Sequence, residues 1–593
     1  MVAADEGWTP SPVTEINNQT AEDFIQNWSE QFMYHEDHAR YNRIFPNQPQ
    51  NSMGQVTNQF GRSQIPNGDY TTVKHKNGTV LEYLNSAIIA AGALDDIEDG
   101  ESLFTRFCNL GPPQTSSKKR SNRLERYQPN PTKNKRGAAF RDELLRKSEV
   151  ATKVKRQNAQ TTAIGYPPAE TLHSEGVIGG YYLSGSGYDD VAVLSVPSFQ
   201  PMGEDGVPEF QDLIGAFLKS AKSAGKTKLV IDLRGNGGGR VYLGYDLFKQ
   251  LFPSMDPYGA SRFRANEAFD LVGQLMTDAL KDFSYDDAVK DFEQNGFDSN
   301  LASAWKSIFN YRLPLNVDNE NFTSWQDYFG PHDHNGDKFT TPARWDLLNF
   351  FSDDLNMDIT GYRTRAGDLE KTQAFDAKNI VLLQDGGCGS TCAVFSEFAK
   401  FQGGVQQIVV GGKPEKGAMQ GVAGSKGSQV YTFSHVQQEA SNAFDNLATN
   451  QEQLNNTDLG KTAWAHRPLM RSAYQSSGLA ASTINLRDNI RMNDTDEVPL
   501  EFIYEAADCR LFYTSDMIRD PTVLWKKTVD GHWGDAQKVC VEGSTGDKSS
   551  LSGGLKTAAN TEGGGKKGAG VKMGVNSGLV AAVVAVVGMM VML

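Results

Sequence analysis

Ser390 has the surroundings of a nucleophile. It closes the stretch Asp385-Gly386-Gly387-Cys388-Gly389-Ser390, which follows a short apolar run, Asn379 to Leu383, of strand length. After it, Ala393, Val394, Phe395 and Phe398 recur at helical spacing. The segment therefore reads as strand, glycine turn and helix, with Ser390 at or near the helix N-cap. The first-turn N–H groups of a helix have no partner inside it, and with the positive end of the helix dipole they stabilise a developing oxyanion. A serine in that position also serves simply as a helix cap, so the reading needs a second element.

That element lies earlier, at Lys228 to Gly239, KLVIDLRGNGGG. Leu229 to Leu233 is a core strand, and the glycine run after it exposes backbone N–H groups that no side chain shields. The Gly-Lys-Ser/Thr ending of a P-loop is absent and GxGxxG is not met, so a nucleotide phosphate cradle is set aside.

Taken with VVGGKPEKGAMQ at Val409 to Gln420 and PLEFIYEAADCRLFYT at Pro499 to Thr514, these two segments resemble the tail-specific, or C-terminal processing, serine peptidases of the ClpP/crotonase fold. The likeness is greatest to fungal proteins similar to chlamydial protease-like activity factor, over roughly residues 10 to 115 and 170 to 545. The resemblance implies an α/β fold: a ClpP/crotonase-like protease domain, an N-terminal PDZ-like domain and a long helical insertion. It also implies that Ser390 attacks a peptide carbonyl and that the amides of Gly237, Gly238 and Thr391 form the oxyanion hole.

A serine hydroxyl needs a neighbour to take its proton, usually an imidazole oriented by a carboxylate. The resemblance places the carboxylate at Glu505, with Glu501 as a substitute. Its histidine belongs to an Asp-Gly-His segment upstream of the PDZ-like part, and none of the nine histidines matches it; the Asp530 to His532 triplet lies far downstream. The expectation is a natural amino terminus further upstream, carrying both that histidine and a signal peptide. Bacterial relatives use a lysine of lowered pKa instead, and Lys416 aligns with that position as an alternative base.

A net charge of -14 argues against general nucleic-acid binding, so the expected partners are protein or peptide substrates. Five cysteines show no zinc-ligand spacing, and no metal or cofactor is expected. Pro331 to Asp337, with two histidines, reads as a polar turn. The uncharged run Leu579 to Leu593 after a Gly, Ser, Lys and Thr-rich spacer suits a GPI-attachment signal or a short tail anchor. The expected location is extracellular or at the cell surface, held to the membrane by the C-terminal tail.

The elements that must position these residues fall into five parts. Residues 1–115 are the PDZ-like domain, in which Ser11 to Trp28 reads as strand, Asn-Asn turn and helix, with Thr20 and Asp23 as a capping box. Residues 116–168 are a basic linker, with 14 Lys and Arg against 4 Asp and Glu between Lys118 and Arg156. The protease domain spans 169–545, with strands at Val191 to Pro197 and Lys228 to Leu233 and helices at Phe210 to Ser223 and Tyr242 to Phe252. An insertion at 253–377 includes a helix from Glu267 to Phe283. A low-complexity spacer, 546–577, and the hydrophobic tail, 578–593, complete the chain. Three functions fit: a serine endopeptidase, a catalytically silent peptide-binding relative, and acyl-ester chemistry, which the serine segment disfavours.

Overall fold

The computed structural model describes residues 11–54, 60, 67–86, 94–95, 97–107, 163–203, 205–296, 299–353, 357–432 and 483–552. The basic linker up to residue 162, the hydrophobic tail and most of the spacer lie outside them.

A seven-stranded sheet organises the larger part of the chain. Its order is Cys509–Leu511, Gln406–Val410, Ile380–Gln384, Lys228–Asp232, Val191–Ser195, Gly179–Tyr182 and Thr171–Leu172. The first five strands are mutually parallel, and the last two join antiparallel. The parallel strands are buried and mostly apolar because both faces are covered. Alternate residues of one strand enter opposite layers. Leu229, Ile231, Ile380 and Leu382 pack beneath helices Gly206–Ser223, Val241–Leu251 and Thr391–Glu397. Val230, Val381 and Leu383 face helix Pro521–His532 and its fully buried Trp525.

The serine strand and the glycine-loop strand are immediate neighbours in register, Ile380 opposite Leu229 and Leu383 opposite Asp232. Parallel strands end on the same edge, so both glycine loops leave the sheet side by side. In open parallel sheets this carboxyl edge is where ligands bind.

The N-terminal part forms a separate four-stranded sheet, ordered Gln19–Thr20, Val13–Ile16, Tyr70–His75, Val80–Leu84. Asn17 and Asn18 take positive φ at its first turn, and Thr20 accepts from the Asp23 amide at 3.1 Å to start helix Ala21–Ser29. Val80, Tyr83 and Leu84 are exposed on the edge strand. Two short helices, Asp37–Ile44 and Gln48–Ser52, follow in the chain, and Asn42 in the first donates to Val410 O at the carboxyl edge of the larger sheet.

Several bounds differ from the sequence reading. The helix expected from Phe210 begins at Gly206, because Pro208 is tolerated in a first helical turn. The one expected to reach Phe283 ends at Leu280. The insertion carries helices Glu267–Leu280, Tyr285–Asn295, Asn300–Lys306 and Trp325–Phe329 around two apolar clusters of its own. Its histidine pair lies on a small hairpin, His332–His334 with Asp337–Phe339, turning at Asn335 and Gly336.

Candidate active site

Ser390 is the N-cap of helix Thr391–Glu397, yet its side chain makes no capping hydrogen bond. Its backbone sits at φ 50 and ψ -123, a region in which a non-glycine residue carries roughly 1–3 kcal/mol of strain. The Ser390 amide donates to Ser425 O at 2.7 Å, which holds the turn in that shape. The hydroxyl is thus pushed out of the cap and left half-buried at the carboxyl edge of the sheet, the exposed geometry of a nucleophile on a sharp strand-to-helix turn.

The glycine loop meets this turn directly. A Cβ on Gly238 would lie 2.7 Å from Ser390 Cβ, 2.8 Å from Gly389 O and 3.0 Å from Thr391 N. Thr391 Oγ1 donates to Gly239 O at 2.7 Å, and the Gly389 amide donates to Asn236 O at 3.4 Å. The glycine loop and the serine turn foreseen from the sequence are therefore in direct contact.

Their roles divide differently from the expectation. The Gly238 amide donates to Asn236 Oδ1 at 2.8 Å, so it is spent on shaping the loop, and what matters at Gly238 is its missing side chain. The Gly237 and Thr391 amides are engaged by no loop or side-chain acceptor among the described residues, and Gly237 is exposed. These two amides are therefore left without an acceptor of that kind among the described residues.

Glu505 is buried and ionised. Burial alone would raise its pKa, but Lys400 and Arg491 hold it below the usual carboxylate range. Lys400 Nζ contacts Oε1, and Arg491 Nη2 donates to Oε2 at 2.8 Å while also pairing with Glu397. No histidine contacts Glu505 among the described residues, so its charge is committed to two cations rather than to orienting an imidazole. Glu501 does meet an imidazole, His35 Nε2 at 3.4 Å, and its other oxygen accepts from the Lys426 amide at 2.8 Å.

Lys416 does not meet the physical requirement of a base. Its side chain is 71% exposed and paired with Glu542, so it stands in solvent. The Asp530 to His532 triplet ends helix Pro521–His532. Burial drives His532 down to about 4, and Asp530 accepts from the Tyr188 hydroxyl.

Sequence reasoning passed over Lys426. Its side chain is enclosed, and burial pushes its pKa down to about 8, with Lys400 adding to the effect and Glu505 opposing it. Nζ donates to Gln420 Oε1 at 3.2 Å and to Ile503 O at 2.5 Å. It follows Ser425, the residue whose carbonyl holds the Ser390 amide. The Gly and Ser-rich surroundings of Lys426, Gly424 to Ser428, gave no periodic signal of burial. Sequence reasoning also left unpaired the disulfides Cys388–Cys392, which brackets Ser390, and Cys509–Cys540.

Residues 2–93 match the CPAF-like PDZ domain and residues 190–426 match Peptidase family S41. The chain is 30% identical over 521 residues to the Peptidase S41 family protein ustP of Aspergillus flavus, covering 86% of this chain and 98% of that protein. It is also 30% identical over 566 residues to phomP1 of Diaporthe leptostromiformis, covering 90% and 78%. Among solved structures, mature CPAF complexed with lactacystin aligns at 13% identity over 88% of this chain and 77% of that one, with a TM-score of 0.40.

Proposed function

Because the chain belongs to the peptidase S41 family, we propose that it is a serine-type endopeptidase acting on protein or peptide chains through an acyl-enzyme on Ser390. One observation carries this reading: a serine at φ 50 whose hydroxyl is withheld from capping the helix it begins, on a turn against which the glycine loop packs directly at Gly238. Ser390 Oγ bonds to the scissile carbonyl carbon, and the oxygen that gains the electron pair is held by the amides of Gly237 and Thr391. Each such donor is worth about 10²–10³ in rate. Collapse breaks the C–N bond and leaves an ester, which water then hydrolyses.

Lys426 is the proton acceptor this chain itself offers. A neutral amine has two N–H donors and one lone pair; Gln420 Oε1 and Ile503 O take the donors, which leaves the lone pair to accept a proton. The proton passes from Oγ to Nζ and on to the departing amine. A pKa of about 8 suits general-base work near neutrality. A second reading, a silent peptide-binding relative, is favoured by the commitment of Glu505 to Lys400 and Arg491.

The enzyme works outside the cytosol or at the cell surface, attached by its C-terminal tail. Two disulfides in the folded chain support an oxidising compartment.

A fluorophosphonate probe tests the chemistry, since it labels only an activated serine. Labelling of the wild type, absent from Ser390→Ala and at least tenfold slower in Lys426→Met, is the expected result. A wild type that resists the probe between pH 6 and 9 leaves the silent relative as the function. Labelling that survives Lys426→Met intact removes the lysine from the mechanism.

A further inference from the structure

Asp385 directly follows the serine strand, and its carboxylate is buried. Its Oδ1 accepts from the Gly387 amide at 3.0 Å, in the loop that delivers Ser390. Its Oδ2 accepts from the Gly235 amide at 2.9 Å, in the loop that delivers Gly237. One side chain therefore bridges the two amide-bearing loops.

A third donor reaches it from the other end of the chain. Asn47 Nδ2 donates to Asp385 Oδ2 at 2.8 Å. Asn47 is the N-cap of helix Gln48–Ser52, and its Oδ1 accepts from the Gln50 amide at 3.2 Å. The same short segment grips both loops through their backbones. Gln50 Nε2 donates to Gly235 O at 2.6 Å and to Pro197 O at 2.9 Å. Asn42 Nδ2 donates to Asp385 O at 2.8 Å and Val410 O at 2.9 Å, while its Oδ1 accepts from the Gly412 amide at 2.6 Å.

The fit leaves no slack. A Cβ on Gly235 would stand 2.2 Å from Asn47 Oδ1, and one on Gly386 would stand 2.7 Å from Ala39 Cβ. Burial raises the Asp385 pKa, against which the Gly235 and Gly387 amides and Arg234 pull it down. A buried carboxylate facing only donors has a single stable orientation, and removing one donor leaves an oxygen lone pair unsatisfied.

We propose that Asp385 and Asn47 are positioning residues of the hydrolytic site: the carboxylate sets the spacing between the two amide-bearing loops, and the N-terminal segment fixes that carboxylate through Asn47. The inference rests on the peptidase reading for its consequence in rate, and on geometry alone for its consequence in loop order. Neither residue touches the reacting atoms. The N-terminal part of the chain thereby orders the oxyanion hole without contributing a donor to it.

Asn47→Ser separates this role from helix capping, because serine caps as well as asparagine but is too short to reach Asp385. In the full chain, hydrogen exchange of the amides in 235–239 and 386–391 is expected to accelerate at least tenfold in Asn47→Ser. Protection of strands Lys228–Asp232 and Ile380–Gln384 should stay unchanged. Fluorophosphonate labelling should slow at least tenfold with unchanged probe affinity, and Asp385→Asn, which turns one acceptor into a donor facing donors, should show both effects more strongly. Loop exchange equal to wild type in Asn47→Ser overturns the inference whatever the labelling does. Accelerated loop exchange in a protein whose wild type never labels upholds the positioning and refutes the peptidase reading.

Discussion

Adjacent glycines at 237 and 238 give opposite expectations for the same substitution. Gly238 sits at φ 108, and an added Cβ meets Ser390 Cβ at 2.7 Å, Gly389 O at 2.8 Å and Thr391 N at 3.0 Å. Carbon atoms in contact prefer about 3.5–4.0 Å, so the loop and the serine turn must separate by roughly 1 Å, and two of the three obstacles are backbone. A misplacement of about 1 Å costs on the order of 10²-fold in rate, and the positive φ adds roughly 1–3 kcal/mol of strain. At Gly237 no heavy atom lies within 4 Å of the added carbon, and φ is outside the left-handed region. The amide that faces the oxyanion is kept. Gly237→Ala should therefore stay within about 0.5 kcal/mol of wild type and label with fluorophosphonate at nearly the wild-type rate, while Gly238→Ala unfolds at lower urea and labels at least about 10²-fold more slowly. Equal urea midpoints for the two variants, or equal labelling rates, would show that the glycine loop does not press against Ser390, and the assignment of the hole would fall with it.

Chain-entropy arithmetic separates the disulfides. Closing 4 residues at Cys388–Cys392 and 31 at Cys509–Cys540 corresponds to about 2 and about 4 kcal/mol, so Cys509→Ala/Cys540→Ala should lower the urea midpoint more, while Cys388→Ala/Cys392→Ala should slow labelling more because it frees the turn around Ser390. Labelling unaffected by the second pair refutes a role for that bridge in holding the nucleophile. Burial raises the Glu36 pKa to about 7, against hydrogen bonds from Gln420 and Tyr504 that lower it. The folded state then holds a proton that the unfolded state has released between about pH 4.5 and 7, so this group's contribution to stability falls as pH rises through that window. Glu36→Gln should flatten the decline in melting temperature between pH 5 and 8, and an unchanged slope refutes the assignment. With burial holding Lys426 at about 8, the labelling rate should climb with pH through that value as the amine loses its proton; a profile flat from pH 6 to 9 excludes it as the base.

Much of the sheet was legible because buried parallel strands are written as continuous apolar runs. Leu229 to Leu233 and Asn379 to Leu383 each needed only local reading, and the glycines after them marked the turns. That the two loops meet follows from strand adjacency, which sequence pattern does not contain but the family resemblance supplied. The base was less legible. Lysines 416 and 426 both sit among glycines, and only the fold decides that one reaches solvent and Glu542 while the other is enclosed against Gln420 and Ile503. The resemblance placed the triad carboxylate at Glu505, but its partners Lys400 and Arg491 come from two separate segments that no sequence pattern joins. The grip of Asn42, Asn47 and Gln50 joins positions separated by up to 370 residues, in a stretch whose composition reads as an ordinary polar loop.

One strand that carries the site ends in an aspartate and the other is followed directly by one, and the pairing explains how a glycine-rich hole can be rigid. Glycine lets a loop approach a reacting carbon closely and point its amides inward, but it also leaves the loop many conformations to lose, whereas oxyanion stabilisation requires donors already fixed before charge develops. Asp232 ends the first strand, accepts from the Arg234 amide two residues on, and holds the Arg234 guanidinium and Trp525 Nε1 as well. Asp385 follows the second directly, accepts from the Gly387 amide two residues on, and holds Gly235 and Asn47. In each case a carboxylate where the strand gives way to the loop folds back on that loop and then ties it to something distant. The first anchors to the sheet's far layer and the second to the N-terminal segment. Order in the hole is therefore imported from both sides through two buried carboxylates, and the glycines are free to serve proximity alone.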